Sequence, residues 1–313
     1  MTAPARESIL IDCDPGQDDA VALLLALASG DRVNLVGVTV VAGNVPVHQG
    51  TANALRVLDL VNSDTVPVHS GADRPLLHPL ETAEFVCGPD GLAGAGPPAP
   101  SRRPGSAHAV TFLIDTLRAA PERGVTLCAL GPLTNLALAL RLAPDIAKKL
   151  KRVSVMGGAM NLGNMTPAAE FNAYVDPHAA AIVLGSGLPV TLFGLHLTHE
   201  AVPCAADIEA FAALGTRTGR AVHGWLTRTR PGGLGTVAHP LHDPCVIAHL
   251  LWPDLFEGRD CHVEVETGEG PLRGRTTIDW NGRLRLPANA HVVARLDRAR
   301  FFERLIGTLA HLP

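Results

Sequence analysis

The chain lacks most features that place a protein outside the ordinary globular class. It has no long apolar run: the longest strictly apolar stretch, Ala20 to Ala28, is 9 residues, against the ~20 that a membrane-spanning helix needs. Its first ten residues, MTAPARESIL, carry no extended apolar segment of the secretory-signal kind. Neither sign of charge dominates. Lys and Arg number 26 against 30 Asp and Glu, a net −4, so no global positive field draws in nucleic acid or an anionic membrane. The six cysteines (Cys13, Cys87, Cys128, Cys204, Cys245, Cys261) are scattered, with no CxxC pair. In a chain of 313 residues this argues against a disulfide or zinc framework and for reduced thiols in a cytoplasmic setting. No internal repeat is evident.

Core material, by contrast, is plentiful. Hydrophobic residues make up 47% and charged residues 18%, which excludes disorder. Length alone suggests about two domains at ~150 residues each. Short apolar strands and helices alternate, however, without a linker-like break, so one domain over residues 1–313 is expected. The strands are expected at residues 8–13, 33–41, 66–68, 125–130, 153–156 and 190–193. Between them fall helices at 18–29, 47–61, 107–119, 133–141 and 177–184. Crossovers of this length imply a doubly wound, mostly parallel α/β sheet with helices on both faces. Further helices are expected at 206–214, 217–229 and 244–251, with a Pro/Gly break at 231–235. Three C-terminal strands, at 262–266, 275–280 and 291–295, include antiparallel ones, and a helix follows over 298–310. Two long loops, 73–105 and 158–175, are of a length that is usually functional.

The most informative segment is IDCDPGQDDA at residues 11–20, which puts Asp12, Asp14, Asp18 and Asp19 within eight residues. Asp12 and Asp14 end the first strand, Pro15 and Gly16 turn the chain, and Asp18 and Asp19 open the next helix. In open α/β sheets, ligands bind outside the carboxyl ends of strands. Carboxylates this close repel. One pair about 4 Å apart costs about 4 kcal/mol at an effective dielectric of 20, while a helix dipole returns typically below ~1 kcal/mol per group. Either some carboxyls hold protons or a cation sits among them. Oxygen-only ligands point to Ca²⁺ or Mg²⁺. Ordinary helix-start and turn roles explain one or two such aspartates but not four. An EF-hand loop does not fit, because Gly16 stands at its third ligand position. A haloacid-dehalogenase-type phosphatase motif fits Asp12-Cys13-Asp14, with Asp12 as nucleophile, but leaves Asp18 and Asp19 unexplained.

The whole stretch closely resembles the N-terminal signature DxDPGxDDA of the inosine–uridine-type nucleoside hydrolases. Five further blocks resemble that family in order: VTVVAGN at 38–44, LGPLTNLA at 130–137, VMGGAMNLGN with AAEFNAYVDPHAA at 155–164 and 168–180, GLHLTHEA at 194–201, and HDPC at 242–245. The resemblance covers roughly residues 9–250. It implies a Ca²⁺-dependent N-ribohydrolase that splits a nucleoside into ribose and a free purine or pyrimidine base. By the same resemblance Asp14, Asp19, Asp243 and the carbonyl of Leu130 are metal ligands, and Asp18, Asn44, Asn164, Glu170 and Asn172 are ribose contacts. Asp14 is implied as the base that activates water, and His242 as the proton donor to the leaving base.

The residue chemistry agrees independently. Cleavage of an N-glycosidic bond builds positive charge on the sugar, which carboxylates stabilise. A Ca²⁺ ion accepts 6–8 oxygens, enough for the water and the vicinal hydroxyls. The implied partner is a small nucleoside, with no nucleic acid and no membrane, in a cytoplasmic salvage role. A homo-oligomer, dimer or tetramer, is expected.

The chain also departs from the family pattern. EFVCGPDGL at 84–92 carries Cys87 where several members have a histidine beside the base. The segment 225–241 lacks the tyrosines that often cap the base there, offering Trp225, Arg228 and Arg230 instead; Tyr174 is the sole tyrosine. Two rival readings remain: a Mg²⁺-dependent phosphohydrolase using Asp12, and a non-catalytic nucleoside- or ribose-binding protein.

Overall fold

The computed structural model describes residues 6–227 and 239–313. Nine strands form one sheet: β1 (Glu7–Cys13), β2 (Val33–Val40), β3 (Val68–Ser70), β4 (Val125–Ala129), β5 (Leu150–Met156), β6 (Val190–Phe193), β7 (Phe256–Val265), β8 (Thr276–Asp279) and β9 (Ala290–Leu296). Their order is β3-β2-β1-β4-β5-β6-β9-β7-β8. The first six pair in parallel, and β9 pairs in parallel with β6. β7 runs antiparallel to both β9 and β8.

Both faces of the sheet are covered, and the period of two along each strand shows how. In β1, Ile9, Ile11 and Cys13 enter one apolar layer and Leu10 the other; in β4, Leu127 and Ala129 face opposite to Cys128. The first layer packs under the helices Gln17–Ala28, Val47–Leu60, Pro244–Leu251 and Arg298–Leu309. The second packs under Ala109–Ala119, Thr134–Leu142 and Pro177–Leu184. The doubly wound α/β sheet with antiparallel C-terminal strands is therefore present.

Several details differ from the sequence expectation. β3 begins at Val68 because Pro67 has no N–H to give the ladder. β7 begins six residues earlier than expected, at Phe256 rather than 262. Its first half, with Glu257, Gly258, Arg259 and Asp260 exposed, shows no apolar alternation. β9 lies between β6 and β7, an order that no local pattern encodes. The two long loops hold the short helices Glu84–Cys87 and Phe171–Val175, too brief for periodicity to reveal. The helix Arg217–Thr227 is as expected; residues 228 and 229, and the break at 231–235, lie outside the described residues.

The order reverses between β1 and β4. The crevice beyond the carboxyl ends of these two strands is where an open α/β sheet places its ligand. Asp14 directly follows β1, Leu130 follows β4, and Asn44 comes shortly after β2.

Candidate active site

A cleft of about 260 Å³ opens at this switch point. Asp14, Asp18, Asn44, Leu130, Asn164, Glu170, Asn172, His242 and Asp243 all line it. Asp19 lies beneath them, fully buried. Residues as far apart in sequence as Asp14 and Asp243 thus share one wall.

Asp14 is held at one carboxyl oxygen and at its backbone. Its Oδ2 accepts the Asn44 N–H at 2.7 Å, and its own N–H donates to Asp19 Oδ1 at 3.2 Å. Two glycines make room for it. A Cβ at Gly43 would lie 2.1 Å from Asp14 Oδ2, and one at Gly131 would lie 2.5 Å from Oδ1. Gly43 and Gly131 follow β2 and β4 in the AGN and LGP turns. Their requirement is invisible without the fold. Asp19 Oδ2 accepts the Gly16 N–H at 3.0 Å and the Asn44 side-chain amide at 3.3 Å. Asn44 therefore braces two aspartates as well as facing the cleft.

The three carboxyls nearest one another are Asp18, Asp19 and Asp243, whose oxygens lie within 4.8 Å. Asp19 and Asp243 share a carboxyl-to-carboxyl hydrogen bond. This trio shares Asp19 and Asp243 with the ligand set implied by sequence. Asp14 sits beside it, coupled by repulsion. Burial, and then the charge of Asp19, pushes the Asp14 carboxyl well above the carboxylate range. Burial and the neighbouring aspartates, Asp18 first, do the same to Asp243. The same two causes that act on Asp14 raise Asp18 to about 7. No Lys or Arg lines the cleft among the described residues. An oxygen-only set this crowded and this poor in positive charge fits a hard divalent cation.

The opposite wall carries Glu170 with the amide side chains of Asn164 and Asn172. Glu170 caps the helix Phe171–Val175, accepting the N–H groups of Asn172 at 2.8 Å and Ala173 at 3.1 Å, and that of Gly158 at 2.8 Å. Asn172 Nδ2 donates to the carbonyls of Leu130 at 2.8 Å and Met156 at 3.1 Å. Asn164 Oδ1 accepts the Phe171 N–H at 2.8 Å. At the far end His242 is half-buried. Its Nδ1 lies 2.7 Å from the Thr198 hydroxyl, and burial, with His199 beside it, lowers its pKa to about 3. It is a neutral imidazole held at Nδ1.

Several lining residues had no sequence signal as site residues: Gln17, Phe85, Val86, Met165, Phe171 and His199 among them. His199 packs against His242 with ring centroids 5.7 Å apart. Cys87 and Trp225 do line the cleft. Cys87 Sγ donates to the carbonyls of Ala83 at 3.2 Å and Asn44 at 3.6 Å, and burial pushes its thiol up to about 12. It is an inert wall rather than an acid. Trp225 is 2% exposed, with its indole N–H given to the Ala95 carbonyl at 3.2 Å, so it serves core and wall together. Arg228 and Arg230 lie outside the described residues.

Asp12 does not line the cleft. It is fully buried, and its Oδ1 accepts from Thr39 and from Asn135 Nδ2. A nucleophile must reach its substrate, so the phosphohydrolase reading through Asp12 loses its support.

Comparison with known proteins agrees with the geometry. Residues 9–303 match the family model "Inosine-uridine preferring nucleoside hydrolase". The chain is similar to the pyrimidine-specific ribonucleoside hydrolase RihA of Shewanella sp. (strain ANA-3), at 43% identity over 306 residues, 96% of either chain. Among solved structures it is similar to a plant nucleoside hydrolase, the PpNRh1 enzyme (TM-score 0.88, 31% identity, 98% of this chain and 99% of that one). It is also similar to the purine-preferring ribonucleoside hydrolase from Gardnerella vaginalis (TM-score 0.88, 29% identity, 97% and 98%).

Proposed function

The chain belongs to the inosine-uridine preferring nucleoside hydrolase family and is an N-ribohydrolase; from that premise we propose that it hydrolyses pyrimidine ribonucleosides at a calcium-dependent centre. The observation that carries this reading is the convergence in one cleft of Asp14, Asp18 and Asp243 with Glu170, Asn164 and Asn172. The first group meets the positive charge that develops on the sugar, and the second offers fixed partners for its hydroxyls.

Asp14, Asp19, Asp243 and the Leu130 carbonyl would hold calcium, which supplies a positive charge that neutralises the carboxylates and makes a nearby water more acidic. Asp14 takes the proton of the attacking water, since it stands in the cleft with Oδ2 fixed by the Asn44 N–H and room left for the carboxyl by Gly43 and Gly131. Asp18, Asn44, Asn164, Glu170 and Asn172 orient the ribose. His242, anchored at Nδ1 by the Thr198 hydroxyl, is the proton donor to the leaving base; the neutral ring would give its Nε2 proton to the base and regain one from solvent. Phe85, Val86 and Trp225 exclude water on the base side. All six cysteines are free thiols, which suits a reducing cytoplasm and a salvage role.

The pyrimidine assignment follows the curated relative at 43% identity, named pyrimidine-specific, over the solved relative at 29%, named purine-preferring. A base-release assay over uridine, cytidine, inosine and guanosine tests both levels. The expected result is ribose and uracil from uridine, with kcat/KM above that for inosine by roughly tenfold or more. Equal or better turnover of inosine overturns the base assignment. No base released from any nucleoside overturns the enzyme reading.

A further inference from the structure

The sole tyrosine, Tyr174, lies outside the set of sugar contacts, yet it sits in the same short helix as Asn172, one that Glu170 caps. Its hydroxyl lies 3.1 Å and 3.4 Å from the two carboxylate oxygens of Glu81. Arg273, on the turn between β7 and β8, reaches the same carboxylate with Nη2 at 2.5 Å from Oε1. Its guanidinium also lies 3.7 Å from the centre of the Tyr174 ring. The Arg273 side chain is 12% exposed. Arg273 is thus a largely buried cation with an ion pair on one side and an aromatic face on the other, the geometry for which arginine is better suited than lysine.

This turn is fitted to the helix closely. Gly274 has φ +75°, and a Cβ there would lie 2.4 Å from the Tyr174 Cα. One residue on from Arg275, Thr276 Oγ1 donates to the Ala159 carbonyl and accepts the Ala159 N–H, both at 2.8 Å. Ala159 follows Gly158, whose N–H feeds Glu170. The β7–β8 turn, through Gly274, and the first residue of β8, Thr276, therefore touch the sugar wall from behind at two places. Through Glu81 it also reaches the other wall, because residues 83–87 carry Ala83, Phe85, Val86 and Cys87 into the cleft. The two walls meet in a small apolar cluster of Ala83, Phe171 and Val175, packed with Val86 and Met165 and separate from the two main layers. A cluster that small cannot fix the spacing of two long loops by burial alone.

The geometry points to Arg273 as a positioning residue for substrate binding: through Glu81 and Tyr174 it sets the spacing between the base wall and the sugar wall. The inference rests on the nucleosidase reading. Arg273 touches neither the acidic floor nor His242 by any contact in the structure, so its loss should act on binding common to ground and transition state, raising KM and sparing kcat.

The test is steady-state kinetics on uridine together with calorimetric binding of D-ribose, for wild type and the variants Arg273→Ala, Arg273→Lys, Glu81→Ala and the double Arg273→Ala/Glu81→Ala. We expect Arg273→Ala to raise KM and the ribose Kd by about tenfold, with kcat within about twofold. Arg273→Lys, which keeps the charge but not the planar guanidinium over Tyr174, should recover only part of the loss and stands in should the alanine variant fail to fold. The double variant should resemble Arg273→Ala alone, because both act through one contact. An unchanged KM and ribose Kd, a fall in kcat equal to that in kcat/KM, or losses that multiply in the double variant would each overturn the inference. A wild type that binds ribose and releases no base, with Arg273→Ala weakening that binding, would instead overturn the nucleosidase reading and leave the positioning role standing.

Discussion

The two ends of β1 both carry carboxylates, in opposite circumstances. At the amino end Glu7 has every partner it could want: Thr126 Oγ1 at 2.5 Å, Lys151 Nζ at 2.9 Å and Arg152 Nη2 at 3.0 Å. Burial pushes its carboxyl up, but these three groups outweigh it and bring the pKa down to about 2. At the carboxyl end Asp14, Asp18, Asp19 and Asp243 face one another with no cationic side chain lining the cleft among the described residues, and all four are pushed up. One strand thus joins a settled end, where charge supports the fold, to an unsettled end, where charge awaits a ligand. Carboxylates left uncompensated in this way are more informative about function than the compensated one, because stability alone would not retain them.

Removing the ligand should break the comparison most strongly. Thorough metal stripping should abolish base release and lower Tm, and Ca²⁺ should restore both, because a ion bound only by the folded state stabilises it. Full turnover in metal-free protein would contradict the assignment. Next in size is Asp14→Asn, expected to cut kcat by roughly 10²–10⁴-fold, the range for a general base. The metal-stripped variant should nonetheless melt no lower than stripped wild type, since the substitution removes a charge that Asp19 and Asp18 repel. A large loss of Tm there would mean that Asp14 is chiefly structural.

His242→Ala sharpens the reading of the unsettled end by separating its tasks. It should impair uridine by about 10²-fold or more relative to a nitrophenyl riboside, whose leaving group needs no proton. Equal losses on both substrates would assign His242 to positioning. The smallest effect belongs to the settled end. Glu7→Gln should lower Tm by about 2–4 °C at neutral pH and leave kcat unchanged. A depressed carboxylate contributes its stability above the ordinary value of 4.5 and loses it as pH falls through about 2. The gap between wild type and variant should therefore close on acidification through that window. A gap that persists at the acid limit would show that the side chain acts by shape rather than charge.

Much of both ends is legible in the linear chain, and the reasons differ. The acidic floor is legible because three of its groups, Asp14, Asp18 and Asp19, crowd with Asp12 into eight residues, and mutual repulsion needs no fold to be noticed. Asp12 itself shows the limit. In sequence it looks equal to Asp14, and only the fold turns it away from the cleft toward Thr39 and Asn135. The base wall was the least legible. Phe85 and His199 lie on short helical segments, Glu84–Cys87 and the turn after Leu195–Thr198, where neither periodicity nor charge marks them. Gly43 and Gly131 could be seen as turn residues but not as the seats of Asp14. The early start of β7 at Phe256 escaped because exposed edge-type residues carry no alternation.

Local order and chemical type were determined by the sequence itself: apolar runs with strand and helix periods, turns at Gly and Pro, and carboxylates too dense to coexist without protons or a cation. These follow from interactions between neighbours in the chain, which the linear order preserves. The tertiary structure alone decided which distant groups meet. It set the β3-β2-β1-β4 reversal that makes the crevice, brought Asp243 to Asp19 and His242 to Thr198, and laid Arg273 across Tyr174 and Glu81. Those contacts depend on how two apolar layers close over one twisted sheet. That closure is a property of the whole packed chain, and no segment of it carries the information alone.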